Sequence, residues 1–159
     1  MSTNPVTITA ADGVPFIEIE REFDASPESV YRAHSDPDLV RRWLGPHGYQ
    51  MAIESWDLRP GGGYRFVHTD GQGNQFTFHG VFHAARSNDF IAQTFEFEGA
   101  PDVVSIATLR LEALPAGRTR LVIHSTYPSQ QARDAMIAAG MSTGVTQGYE
   151  RLDAVLTAL

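Results

Sequence analysis

Between Gln50 and Tyr127 the chain breaks into six short runs of alternating apolar and polar residues, each closed by a turn signal. Period-two alternation rich in Phe, Ile, Val and Thr reads as β-strand, and it leaves no room for a helix. The runs cover residues 50–57, 64–69, 75–85, 90–98, 103–113 and 119–127. Between them stand Pro60-Gly-Gly-Gly63, Asp70-Gly-Gln-Gly-Asn74, Ser87-Asn-Asp89, Gly99-Ala-Pro101 and Pro115-Ala-Gly117. Connections this short join antiparallel neighbours, so the pattern predicts a meander of hairpins. Phe76, Phe78 and Phe82 share one side of their run, and Thr77, His79 and His83 share the other. Ile91, Gln93, Phe95 and Phe97 oppose Ala92, Thr94, Glu96 and Glu98 in the same way. A sheet with one apolar and one polar face must be covered on one side.

The cover is predicted at the C-terminus. A helical pattern runs over about residues 130–159, with Ser129 as N-cap and a bend near Gly140. Ile137, Met141, Gly144, Val145, Gly148, Leu152, Val155 and Leu159 recur at spacings of three and four. Gly140, Gly144 and Gly148 form a stripe, and each glycine inside a helix costs about 0.8–1.0 kcal/mol relative to Ala. Either close packing of the helix or room for a ligand beside it offsets that cost. Ahead of the meander, residues 16–23 alternate as a further strand. Ser26-Pro27-Glu28 and Asp36-Pro37-Asp38 then start two short helices, and Gly45-Pro46 ends the second. The order defines an α+β helix-grip fold: a curved antiparallel sheet of about seven strands around a long C-terminal helix, with two short helices after the first strand. Residues 1–12 read as an N-terminal extension with a candidate extra strand at Val6-Thr-Ile-Thr9, and residues 13–159 as a single domain.

Composition narrows the function classes. Nineteen acidic against twelve basic residues give a net charge of −7, which argues against nucleic acid and against anionic membrane as partners. The absence of cysteine excludes disulfides, thiolate catalysis and zinc–thiolate sites. Residues 1–10 carry no secretory signal pattern, and no apolar stretch approaches bilayer length. The expectation is a cytoplasmic protein.

Several segments, taken in order and spacing, also resemble a known family. They are Phe23-Asp-Ala-Ser-Pro-Glu-Ser-Val30, Asp36-Pro37 followed by Arg42-Trp43-Leu-Gly-Pro46, and Asp57-Leu-Arg-Pro-Gly-Gly62. Gly80-Val81-Phe82, Thr119-Arg-Leu121 and Gly140-Met141 followed by Gly144 continue the likeness. Together they are similar to the START-like superfamily (SRPBCC, the birch-pollen-allergen fold), and within it to the AHSA-type group named for the activator of the heat-shock-protein-90 ATPase. The resemblance spans about residues 16–159, with one departure: Val145 stands where the group commonly has Trp. It implies the helix-grip fold and a hydrophobic cavity between sheet and helix. Members of the superfamily use that cavity to bind lipids, sterols, polyketides or plant hormones, and some cyclise or dehydrate aromatic polyketides.

The candidate cavity residues follow from the predicted interior faces. On the helices they are Trp43, Met141, Val145 and Tyr149; on the strands, Trp56, Tyr64, Phe66, Phe78, Phe82, Phe95 and Phe97. Large rings with a few polar groups suit an apolar or aromatic ligand, and each ring taken singly is also ordinary core. Gln93 is the polar residue that alternation turns inward, between Ile91 and Phe95. His124 on the last strand is a further candidate at the cavity, and His68 sits at a strand end beside the Asp70 turn. Either His has the chemistry of a general acid or base, although a surface or hydrogen-bonded structural role is the commoner one. His79 and His83 share a polar face but stand about 13 Å apart, too far to chelate one ion. No metal site, cofactor or catalytic residue is assigned. The reading is a binder of a small hydrophobic ligand, with a polyketide cyclase/dehydratase-like enzyme and a chaperone-linked interaction module as alternatives, and a homodimer as one arrangement of the chain.

Overall fold

Ser26, Asp36 and Ser129 each use a side-chain oxygen to accept a backbone N–H of the helix that follows, from Ser29, Asp38 and Ala132 respectively. These caps satisfy donors that no intrahelical carbonyl can reach. The computed structural model describes residues 4–159; residues 1–3 of the N-terminal extension lie outside the described residues. The strands are β1 (Thr7–Thr9), β2 (Phe16–Phe23), β3 (Gln50–Trp56), β4 (Gly63–Thr69), β5 (Gln75–Arg86), β6 (Phe90–Phe97), β7 (Val104–Leu114) and β8 (Arg118–Thr126). The helices are α1 (Pro27–Ser35), α2 (Pro37–Trp43), α3 (Gln130–Ala138) and α4 (Met141–Thr157).

All eight strands form one antiparallel sheet in the order β1-β2-β8-β7-β6-β5-β4-β3. The meander from β3 to β8 is consecutive, and β2 closes against β8. The eighth strand is Thr7–Thr9, which pairs with β2 at the sheet edge. The architecture is the α+β helix grip, with the two short helices after β2 and the long helix last.

The terminal helical pattern divides in two at Gly140, whose φ of 96° is left-handed, a conformation that favours glycine. The glycines of the stripe therefore differ in what holds them: a requirement for glycine is visible at Gly140 and Gly148 and none at Gly144. Gly140 is the break between α3 and α4. Gly148 lies under backbone: a Cβ there would sit 3.3 Å from the Trp43 carbonyl oxygen and 3.5 Å from Gly45 N and O. Gly144 faces only Pro46 Cδ, at 3.8 Å. At Gly148, then, glycine lets α4 pack closely onto the end of α2, and α1 packs beside it. Among the described residues no helix is long and apolar enough to cross a membrane.

Two buried arginines tie the layers together. Arg21 on β2 pairs with Asp153 on α4. Arg133 on α3, only 2% exposed, donates to the carbonyls of Ala11, Val14 and Phe16 and so pins the segment ahead of β2.

Candidate functional site

The inner face of the sheet can be followed row by row across the strands. Nearest the β4–β5 turn, Met51, His68 and Phe76 stand side by side; Ile53, Phe66, Phe78 and Phe97 form the next row. Trp56, Tyr64 and Gly80 follow. The central row is Phe82, Gln93, Ala107, Ser125 and Ile17. Trp56 faces inward only because β3 shifts register between Ile53 and Ser55. Strict alternation from Ile53 would have turned it outward, and one extra residue reverses every side chain beyond it.

These rows bring most of the expected residues together. Trp56, Tyr64 and Phe82 pack ring against ring at 5.1–5.6 Å. Phe78 lies 5.2 Å from each of Phe66, Phe95 and Phe97. Such separations are those of attractive aromatic pairs. Tyr64, Phe66 and Phe82 are buried, whereas Trp56, Phe78, Phe95 and Phe97 are half-buried. Trp43 and Tyr149 form a second cluster under α4: their rings stack at 6.2 Å, and Tyr149 meets Phe23 edge-on at 5.4 Å. Both indoles are tied to the α1–α2 corner, Trp43 Nε1 donating to the Ala33 carbonyl and Trp56 Nε1 to that of Ser35, each at 2.9 Å. Met141 and Val145 on the first turns of α4, and Met136 and Ile137 on α3, are half-buried and packed against the core.

Polar groups are few on this face. The Tyr64 hydroxyl donates to the Thr94 carbonyl at 2.5 Å, and Gln93 Nε2 donates to the Tyr64 oxygen at 3.1 Å. Gln93 thus faces inward, as alternation predicts. Burial pushes the Tyr64 phenol well above its ordinary range, so it is a neutral hydrogen-bonding group rather than a base. His68, on the same side of β4 as Tyr64 and Phe66, is 8% exposed, and its Nε2 is enclosed with no hydrogen-bond partner. Desolvation first, and the nearby Arg151 charge second, lower its pKa from 6.5 to about 4. The imidazole is therefore neutral at pH 7. The expectation of a surface or hydrogen-bonded histidine is corrected at this position. The sequence carries the signal for it: Tyr64, Phe66 and His68 share a parity, and two of the three are plainly core.

His124 is corrected as a cavity candidate: it takes the surface, hydrogen-bonded role expected as the commoner one. On β8 the buried residues are Thr119 and Leu121, so even-numbered positions point away from the interior. His124 is paired across the outer face with Glu18, at 3.4 Å, and its ring lies 4.5 Å from that of Phe16. It does not join the interior set. The same outer face carries ion pairs in rows, Arg65 with Glu54 and Glu98 and Arg120 with Glu20 and Glu112, and His79 Nδ1 lies within hydrogen-bonding distance of Glu98, at 2.9 Å. Among the described residues no three His, Asp or Glu side chains converge as metal ligands. Met51 and Phe76, which flank His68, are inner-face residues outside the expected cavity set; alternation within their strands is the signal that marks them.

A curved antiparallel sheet, with an aromatic concave face beneath a C-terminal helix, defines a START-like (SRPBCC) domain. Residues 24–157 match the family described as Activator of Hsp90 ATPase homolog 1-like protein, and the chain belongs to that family. No curated protein matches the sequence. Among solved structures, a protein from Arthrobacter aurescens is similar with 28% identity and a TM-score of 0.87, over 96% of this chain and 92% of that one. A protein from Rhodobacter sphaeroides is 27% identical with a TM-score of 0.86, over 98% of this chain and 99% of that one. The AHSA1 protein from Silicibacter pomeroyi shares the fold at 21% identity and a TM-score of 0.74, over 90% of this chain and 98% of that one.

Proposed function

We propose that the protein binds a small hydrophobic or aromatic ligand between the concave face of the sheet and helices α3 and α4. One observation carries the reading. Gln93, Ala107 and Ser125 lie at the middle of the inner face, where a filled core would bury them, yet all three stay half-buried, as do Phe78, Phe95 and Phe97. Small side chains at the sheet centre, a wall of rings on β5 and β6 and two flexible methionines on the covering helices fit an adaptable apolar site. The superfamily's common use of this space for hydrophobic ligands supports the same reading. The setting we propose is the cytoplasm.

The test is native mass spectrometry of the purified protein, followed by a thermal-shift series with apolar and aromatic compounds. A co-purifying small molecule, or stabilisation that grows with ligand concentration as mass action requires, is the expected result. A protein that stays ligand-free and gains no stability across a broad series contradicts the reading. It would then favour an interaction module, for which Val81 and Ile106, exposed on the outer face, are the relevant observation. A homodimer through that face belongs to this second reading. A cyclase-like activity requires a proton-moving group in the interior; the His68 imidazole is the candidate, and Tyr64 and Gln93 are the hydrogen-bonding groups to substitute beside it in a turnover assay.

A further inference from the structure

We propose that His68 is the polar anchor of the interior site, and that the ligand it takes is an aromatic compound bearing a hydroxyl group. The inference rests on the ligand-binding reading above and specifies the chemistry of that ligand.

His68 is wedged among apolar surfaces. Its ring lies 5.1 Å from Phe66, 5.6 Å from Phe78 and 6.1 Å from Tyr49. Its lateral neighbours on the sheet are Met51 and Phe76. Gly45 also abuts the ring: a Cβ there would come within 2.7 Å of His68 Cε1 and 3.2 Å of Nε2. Only a residue without a side chain leaves the ring in place there, and the φ of +104° at Gly45 favours glycine independently. The loop carrying Gly45 is held by Arg151, whose guanidinium donates to the carbonyls of Arg42, Gly45 and Pro46.

This arrangement leaves a polar atom without a partner. Buried polar groups are nearly always hydrogen-bonded, and an orphan calls for an explanation. His68 Nε2 is enclosed and unpartnered among the described residues, while half-buried rings of Phe76 and Phe78 stand beside it. The missing partner sets the ligand class. A purely apolar molecule leaves Nε2 unsatisfied. A carboxylate only accepts, so it pairs with Nε2 in just the one tautomer that carries the proton there. A hydroxyl both donates and accepts, so it can pair with Nε2 in either tautomer of a neutral imidazole. The surrounding rings suit an aromatic body for that hydroxyl.

The test compares two probes of nearly equal shape, 2-naphthol and naphthalene, on the whole protein. The readout is the ratio of their affinities, determined for the wild type and for His68→Phe. Hydrophobic differences between the probes then cancel. The expected result is that His68→Phe lowers the preference for 2-naphthol about tenfold, the size of one net hydrogen bond, while naphthalene binding persists. On the wild-type protein, ¹⁵N NMR of the His68 imidazole provides a measurement that needs no stable variant: 2-naphthol should shift the ring nitrogens and naphthalene should not. A ratio unchanged by the substitution, or His68 signals that respond equally to both probes, overturns the assignment of His68 and leaves the binding site standing. Failure of both probes to bind overturns the binding-site reading itself, and the anchor with it.

Discussion

Arg21 and Asp153 face each other with two parallel contacts, Nη1 to Oδ1 and Nη2 to Oδ2, both at 2.6 Å. The guanidinium also lies 4.6 Å from the centre of the Phe23 ring. The pair joins β2 to α4, elements 132 residues apart at this point. With Arg21 only 4% exposed, its charge has little water to fall back on. Asp153→Ala should therefore lower unfolding stability by about 3 kcal/mol, the usual cost of orphaning a buried charge. The double substitution Arg21→Met with Asp153→Leu should recover most of that loss, since removing both charges leaves nothing uncompensated. Chemical denaturation of the three variants checks both statements.

The glycines of the terminal helices should answer differently to one substitution. Gly144→Ala places a methyl in ordinary contact with Pro46, so the gain in helix propensity should emerge as about 0.8–1.0 kcal/mol of added stability. Gly140→Ala forces a side chain into a left-handed backbone at φ 96° and should destabilise by about 1 kcal/mol. Gly148→Leu drives a large side chain against the Trp43 and Gly45 backbone and should destabilise most. Thermal unfolding of the three proteins gives the order; a stabilising Gly148→Leu would show that α4 does not sit on α2 as described.

Two histidines set an acid limit. Burial lowers the pKa of both His34 and His68 from 6.5 to about 4. In the unfolded chain each binds a proton near its ordinary value; in the fold it does so only near 4. Their contribution to stability is thus complete above about pH 6.5 and is lost as pH falls from there toward 4. Each costs up to about 1.4 kcal/mol per pH unit inside that window. Denaturation midpoints between pH 7.5 and 4.5 should fall accordingly, and His34→Gln or His68→Gln should flatten the decline.

Much of this arrangement is legible in the amino-acid sequence itself. The helix starts at Ser26-Pro27 and Asp36-Pro37, the hairpin turns and the inward set Ile91, Gln93, Phe95 and Phe97 follow from local chemistry, because each depends on residues close in sequence. The β3 irregularity that turns Trp56 inward has no such mark, since no glycine or proline stands between Ile53 and Ser55. His124 shows a related limit: its strand alternates apolar Leu121 and Ile123 with Val122, so hydropathy alone sets its phase weakly. Arg21 and Arg133 are buried through partners on distant segments, which local pattern cannot anticipate. The aromatic lining is legible as a set of rings, whereas its division into a packed cluster and a half-buried wall depends on the register of eight strands.

The most direct test of an interior ligand site uses the methionine methyl groups as reporters. Met51 lies on the inner face of the sheet, and Met136 and Met141 on the covering helices. ¹³C-methyl NMR during titration with 2-naphthol should move all three resonances along one saturable curve, since they surround one space. Resonances that stay fixed while probe rises to its solubility limit, or that move without saturation, would contradict an interior site and leave the concave face as packed core alone.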